Sequence, residues 1–108
     1  MKENMTLDEF LTALPSLALE KRDELLGHDN LFLVETTQGR HAYIRIMDGL
    51  VTAEDSAEGT PVCRLTADER LILRLIRGEI HPAKALVMGK VRIHGDVKPL
   101  LRLIRCLA

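Results

Sequence analysis

The sequence predicts an α+β domain: a five-stranded, mainly antiparallel sheet with helices packed on one face. Three observations support this class. Hydrophobic residues make up 46% of the 108 residues, enough for a packed core. The apolar spacing changes from helical to alternating and back along the chain. The order helix, helix, strands, helix, helix, strand, helix separates the strands from most of the helices, as is typical of α+β folds.

The first predicted elements are two short helices within about residues 6–26. Residues 6–9 (TLDE) form a capping box, in which Thr6 accepts a backbone N–H and Glu9 reaches back to the start of the helix. Pro15 interrupts the apolar stripe that follows, and Ser16 is a suitable cap for a second helix. That helix is expected to end near Leu26, where Gly27 can adopt a left-handed conformation.

The next stretch predicts an antiparallel meander. Its four strands are expected at residues 30–37, 41–47, 50–55 and about 61–65. The pair Asp48–Gly49 is a strong hairpin signal, because a type I′ turn needs a positive φ at both positions. Consecutive hairpins normally bury one face of the sheet and leave the other in water.

The remaining elements are mostly helical. Residues 66–69 (TADE) form a second capping box and open a helix over 67–77. A short helix is expected over 82–88, a fifth strand over 91–94, and a final helix over 97–107 capped by Asp96. The apolar face of the final helix is wider than a simple surface helix needs. It either walls a cavity or packs between two elements.

The net charge of −1 conceals two oppositely charged halves. Residues 1–63 carry five basic and twelve acidic side chains, and residues 64–108 carry ten basic and four acidic ones. Basic residues recur at helical spacing in two predicted helices: Arg70, Arg74 and Arg77, and then Lys98, Arg102 and Arg105. One interpretation is that acidic strands pair with basic helices inside the fold. The other is that the basic stripes contact an anionic surface such as phospholipid headgroups.

Catalytic and metal-binding motifs are not found. The sequence lacks a Gly-rich phosphate loop, GxSxG and HExxH, and its cysteine and histidine spacing does not suggest zinc. Surface or capping roles are expected for the four histidines, His28, His41, His81 and His94. A pocket that gathers two or more of the last three would favour an enzyme. The three aromatic residues (3%) do not form the stacking platform that binding of single-stranded nucleic acid needs, and we expect no nucleic-acid partner.

A single domain spanning residues 1–108 is expected, with N-terminal helices at about 6–26 and a core at about 30–107. Cys63 and Cys106 lie in apolar segments and are predicted to be buried thiols in a reducing compartment. The N-terminus lacks the apolar region of a secretory signal, and no apolar run is long enough to span a bilayer. We therefore expect a cytoplasmic protein.

Residues 78–96 (GEIHPAKALVMGKVRIHGD) resemble the signature stretch of the sterol-carrier-protein-2-like domain, of the bacterial stand-alone type. A Gly that ends a helix precedes a proline, a helix with Ala, a Gly-Lys pair, an alternating strand and a Gly-Asp turn. The matching positions are Gly78, Pro82, Ala85, Met88, Gly89, Lys90, Val91, Ile93, Gly95 and Asp96. The upstream Asp48–Gly49 hairpin and the 66–69 helix start follow in the family's order, so the resemblance covers about residues 30–107.

The resemblance implies a sheet and helices that enclose an apolar tunnel, with no catalytic residue and no cofactor. It implies binding of fatty acyl chains, phospholipids, sterols or isoprenoids, and some bacterial relatives are accessory factors in quinone biosynthesis. The lining positions that it implies here are Ile76, Leu86, Val87, Met88, Leu100, Leu103 and Ile104. Because aromatic residues are scarce, a flexible chain is a better ligand for such a tunnel than a rigid sterol.

The leading hypothesis is therefore a non-catalytic carrier of a lipid or other hydrophobic small molecule, with transient contact to an anionic membrane surface. The alternative is a non-enzymatic scaffold that binds a partner enzyme in a lipid or quinone pathway, with its cavity filled by its own side chains. An apolar last helix left exposed would instead form a homodimer face.

Overall fold

The computed structural model describes residues 5–107. The helices are α1 (Leu7–Leu19), α2 (Arg22–Leu25), α3 (Glu69–Ile76), α4 (Pro82–Val87) and α5 (Val97–Leu107). The strands are β1 (Asn30–Thr36), β2 (His41–Met47), β3 (Leu50–Glu54), β4 (Cys63–Ala67) and β5 (Val91–Gly95). These elements confirm the predicted α+β class with five strands.

The strands form one sheet in the order β3-β2-β1-β4-β5. Strands β1, β2 and β3 are the antiparallel meander that the turn signals predict, and Asp48 and Gly49 both have positive φ. The extension of that meander to a fourth strand is wrong, because β4 crosses over and pairs with β1 in parallel. The parallel pair places Cys63 beside Phe32, and β5 then adds antiparallel to β4.

Helix α1 continues through Pro15, which corrects the prediction of a break with a new cap at Ser16. The buried stripe of α1 includes residues on both sides of the proline, Leu11 and Leu14 before it and Ala18 after it. Packing of this stripe against the sheet outweighs the one backbone hydrogen bond that proline removes. The predicted Thr6 cap is confirmed, since its Oγ1 accepts the Glu9 N–H at 3.1 Å.

Helix α3 begins two residues later than the 66–69 motif predicts. Thr66, the expected cap, lies within β4 opposite Glu35 of β1. Because it pairs with β1 as a strand residue, it does not cap the helix. Asp68 is the cap instead, and its Oδ1 accepts the Arg70 N–H at 2.8 Å. The predicted cap of the last helix is correct, because Asp96 Oδ1 accepts the Lys98 N–H at 3.0 Å.

The helices pack on one face of the sheet, as predicted. Alternate strand residues such as Phe32, Val34 and Ile44 point into one apolar core that α1, α3 and α5 cover. On the opposite face the β3–β4 loop approaches the buried Leu31. A Cβ on Gly59 of this loop would lie 3.9 Å from Leu31 Cδ2, and Val62 N–H donates to the Leu31 carbonyl at 2.8 Å. None of the helices within residues 5–107 has the length and apolarity required to cross a bilayer.

Candidate functional site

An apolar groove lies on the helical side, between the C-terminal half of α3, the start of α4 and α5. Its volume is about 400 Å³, within the range typical of small-molecule sites, about 300–1,000 Å³. The residues that line it are Leu75, Gly78, Ile80, His81, Pro82, Leu101, Ile104 and Arg105. We refer to this set as the α3–α5 groove.

Local backbone chemistry builds one wall of the groove. Gly78 ends α3 with a φ of +75°, and Glu79 N–H closes the turn on the Arg74 carbonyl at 2.9 Å. His81 then caps α4, because its Nδ1 accepts the Ala83 N–H at 3.1 Å, and Pro82 occupies the first turn. The capping role expected for His81 is therefore confirmed, and its Nε2 carries the proton when the ring is neutral.

A second, smaller cavity lies beneath the groove, between the sheet and helices α1, α3 and α5. Its volume is about 40 Å³, little more than one water molecule occupies in the liquid, and no polar atom lines it. Leu75 and Ile104 line both spaces and so form the partition between them. The described residues thus enclose an outer groove and a separate, narrow inner cavity, and the tunnel that the resemblance implies stays a prediction.

The structure separates the seven predicted lining residues into two sets. Four of them, Ile76, Leu100, Leu103 and Ile104, line the inner cavity, and Ile104 also borders the groove. The other three, Leu86, Val87 and Met88, lie at the C-terminal end of α4 and are exposed. They contribute to neither of the two spaces.

Sequence reasoning missed most of the outer groove. Helical spacing of the apolar residues predicts that Leu75 and Leu101 lie on apolar helix faces, but it does not mark them as part of a site. Ile80 and His81 precede α4 in a segment with no periodicity, so their place in the groove depends on how Gly78 turns the chain. The spacing of Leu101, Ile104 and Arg105 on one side of α5 was the available signal.

The charges around the groove are mainly positive. Arg105 lies at its edge, and its Nε donates to the Leu101 carbonyl at 3.5 Å. Within the described part of the chain, Lys98, Arg102 and Arg105 form no ion pair with a carboxylate. At the C-terminal end of α3, in contrast, Arg74 and Arg77 both contact Glu79, at 3.9 and 3.1 Å. Of the two basic stripes, the one on α5 is therefore less neutralised by carboxylates among the described residues.

The acidic and basic halves do not neutralise each other broadly. Arg64 of β4 pairs with Glu35 of β1 at 2.8 Å, which joins the two halves. Arg40 pairs instead with Asp8 and Asp55, both in the acidic half, and these carboxylates raise its pKa. Among the described residues, therefore, the ion pair between the halves joins two strands, and none joins an acidic strand to a basic helix.

The cysteines and histidines do not form a reactive cluster. Cys63 is buried and burial raises the pKa of its thiol; Cys106 is only half-buried, so the prediction of two buried thiols is wrong for it. Burial, and then a hydrogen bond to Glu24, raises the pKa of Cys106. Across residues 5–107 no three His, Cys, Asp or Glu side chains are grouped as metal ligands. His81 borders the groove, whereas His94 borders a hollow on the opposite side of the sheet.

Comparison with known proteins identifies a family that matches nearly the whole chain. The family model described as the SCP-2 sterol transfer family matches residues 8–108. Among curated proteins, none is similar enough to this sequence to match.

Several solved structures share the fold at low sequence identity. The sec-alkylsulfatase Pisa1 from Pseudomonas sp. has 18% identity and a TM-score of 0.87, over 99% of this chain and 17% of its own. This chain therefore spans about a sixth of that protein. The UbiJ-SCP2 ubiquinone synthesis protein has 19% identity and a TM-score of 0.67, over 94% of this chain and 85% of its own. Palmitated SCP2L2 from Aedes aegypti has 14% identity and a TM-score of 0.59, with 95% of each chain covered.

Proposed function

Since the chain belongs to the SCP-2 sterol transfer family, we propose that it binds and transfers a flexible lipid chain, fatty acyl or isoprenoid, without catalysing a reaction on it. The observation that carries the proposal is the α3–α5 groove, an apolar space of about 400 Å³ that borders the apolar interior. One structural neighbour was itself studied in a palmitated form.

Burial of methylene groups supplies the driving force. Each buried methylene contributes about 0.8 kcal/mol, so eight of them contribute about 6 kcal/mol before the entropic cost of association. Leu75, Leu101 and Ile104 offer aliphatic walls that adapt to a flexible chain. Discrimination between chains then depends on length and shape rather than on polar contacts.

Deeper entry of the tail requires the partition to move. The inner cavity of about 40 Å³ is too small for more than a methyl end. Rotation of Leu75 and Ile104 would join it to the groove, and Leu100 and Leu103 would then contact the tail. In this mechanism the empty protein fills its own interior, and the ligand replaces contacts between side chains.

The polar end of the ligand would lie at the groove edge. Arg105 supplies a guanidinium without a carboxylate partner in the described residues. His81 uses its Nδ1 to cap α4, so its Nε2–H is left as a donor for the ligand. Both groups suit a carboxylate or a phosphate. The neighbouring α5 stripe, Lys98 and Arg102, would contact anionic headgroups when the lipid is exchanged with a membrane.

Ligand binding is tested directly by native mass spectrometry of the purified protein, followed by titration with palmitate and with farnesyl phosphate. We expect a co-purified lipid or a saturable rise in melting temperature. Leu101→Glu places a charge in the groove and should weaken binding about tenfold or more. Leu19→Glu is the matched control on the exposed surface of α1 and should bind like the wild type. Absence of lipid together with no stabilisation by either ligand contradicts the proposal.

The small inner cavity favours a second candidate, a non-enzymatic scaffold whose interior stays filled by its own side chains. The UbiJ-SCP2 neighbour is named as a ubiquinone synthesis protein, and a similar role would require a partner enzyme. Retention of a biosynthetic enzyme by the wild-type protein and by Leu101→Glu alike, without any bound lipid, favours the scaffold.

We further propose that the chain acts as one domain in the cytoplasm. Cys63 and Cys106 are both free thiols, as is usual in a reducing compartment. Cell fractionation with an antibody against the protein tests the location, and limited proteolysis tests the single domain.

A further inference from the structure

The C-terminal end of α4 exposes three consecutive apolar side chains. Leu86, Val87 and Met88 have 44%, 88% and 51% of their surface accessible to solvent. We call these residues the α4 tip. A run of three exposed apolar residues on a small domain is unfavourable in water, and it commonly marks a contact with a partner or a membrane.

The α4 tip is held in a fixed position. Ala85, just before it, is completely buried, and Val91, just after it, is buried in β5. Lys90 N–H donates to the Ala85 carbonyl and Gly89 N–H to the Leu86 carbonyl, both at 3.1 Å, which closes the helix end. These bonds satisfy backbone groups that would otherwise be costly to place in an apolar medium.

Positive charge surrounds the tip. Residues 80–95 contain three cationic side chains, Lys84, Lys90 and Arg92, and no acidic residue. Within the described residues none of the three forms an ion pair. Lys84 lies one helical turn from Val87 and Met88, and Lys90 follows the tip directly, so the two lysines flank the apolar surface.

We propose that the α4 tip docks this protein on an anionic phospholipid surface. Val87 enters the boundary between headgroups and acyl chains, and Lys84 and Lys90 contact the headgroup phosphates and carboxylates. An anionic membrane fits the observations better than a protein partner does. A stable protein interface buries about 800 Å² per partner from 20–30 residues, whereas the tip offers three.

Docking at the tip would bring the groove close to the membrane. Pro82 lines the α3–α5 groove and Val87 ends the same helix, so about 7.5 Å of helix axis separates them. The inference deepens the membrane contact of the proposed function by naming a docking surface, but it does not depend on what the groove binds, because docking is measured on vesicles without added ligand. It assigns a role to three residues that the groove does not use.

The chain contains no tryptophan, so a single introduced indole reports the local environment. Val87→Trp is mixed with vesicles of phosphatidylcholine, with or without about 30% phosphatidylserine. We expect a blue shift of the emission with the anionic vesicles only, reversed by high salt. Leu19→Trp, on an exposed site of α1, should show no shift. A solvent-like Val87→Trp spectrum on bound vesicles, or an equal shift for Leu19→Trp, overturns the proposal.

Vesicle sedimentation measures the affinity of variants and so separates the apolar contribution of Val87 from the electrostatic contribution of the two lysines. Val87→Asp should weaken binding to anionic vesicles about tenfold or more, and Lys84→Gln and Lys90→Gln about fivefold each. Because these side chains are exposed, the melting temperature and the binding of palmitate should stay unchanged, which separates this proposal from the one for the groove. Unchanged affinity in all three variants overturns it. So does a Val87→Trp shift that grows with protein concentration without vesicles, since it indicates a second copy of the chain.

Discussion

Truncation of Leu103 is the most direct test of the packing that the structure assigns to α5. Leu103 is only 2% exposed and borders the inner cavity of about 40 Å³. Leu103→Ala removes three carbon atoms, which costs about 2.4 kcal/mol of transfer free energy at about 0.8 kcal/mol each. The vacated space merges with an existing void, so a cavity term raises the total loss to about 3–4 kcal/mol. For a chain of this size that lowers the melting temperature by roughly 12–20 °C.

Urea unfolding monitored by circular dichroism measures the loss, and Leu101→Ala is its matched control. Leu101 lies on the same helix but is half-buried and faces the outer groove, so its truncation should cost about 1 kcal/mol. Helix propensity changes equally in both variants and cancels in their difference. A loss below about 1.5 kcal/mol for Leu103→Ala, or equal losses for both, would refute the assignment of Leu103 to the core.

Three further predictions concern the backbone and one charge. Gly95→Ala should lower the free energy of unfolding in urea by at least about 2 kcal/mol more than Gly89→Ala does. Both glycines have positive φ, so that strain is common to the two variants. A Cβ at Gly95 would also overlap the Val62 carbonyl, whereas a Cβ at Gly89 would meet none of the described atoms within 4 Å. Pro15→Ala should stabilise the protein by about 1 kcal/mol or more, because Pro15 lies exposed inside α1 and its replacement restores a backbone donor. Asp68→Asn should lower the melting temperature near neutral pH, and its difference from the wild type should vanish in acid. Hydrogen bonds hold the pKa of Asp68 below its usual value of 3.8, so the stabilisation is complete above that pH and is lost as the pH falls through the lower folded pKa.

Each of these has a clear contrary result. Equal costs for the two glycine variants would mean that β5 does not approach Val62 as the structure shows. A destabilising Pro15→Ala would indicate that the proline shapes α1 favourably. The Asp68 prediction is checked by thermal melts from about pH 2 to 7. If the difference in melting temperature between the wild type and Asp68→Asn does not change with pH, the Asp68 carboxylate does not stabilise α3 as proposed.

Local signals predicted most of the fold because local chemistry determines most of it. The Thr6 cap, the Asp48–Gly49 turn and the Asp96 cap all involve residues within one turn of each other, and all three are confirmed. The errors occur where distant contacts decide the outcome. Helix α1 passes Pro15 because its stripe packs on the sheet, and Thr66 stays in β4 because β1 lies beside it.

The candidate site was predictable only in part for the same reason. An apolar helix face identifies Leu100 and Leu103, but it does not show which side of α5 borders a void. The position of Ile80 depends on the turn at Gly78. At the α4 tip the sequence predicts a lining residue where the structure has an exposed one. Val87 is apolar and lies in the family-like stretch, but the end of α4 places it in solvent.

The central claim is that a flexible lipid chain occupies the α3–α5 groove. Methyl NMR of the wild-type protein during titration with palmitate tests it most directly. The account predicts saturable shifts that are largest at the methyl groups of Leu75, Ile80, Leu101 and Ile104, with smaller shifts at Leu100 and Leu103 as the partition opens. Saturable shifts centred on another surface, or no saturable shift at any methyl group, would contradict it.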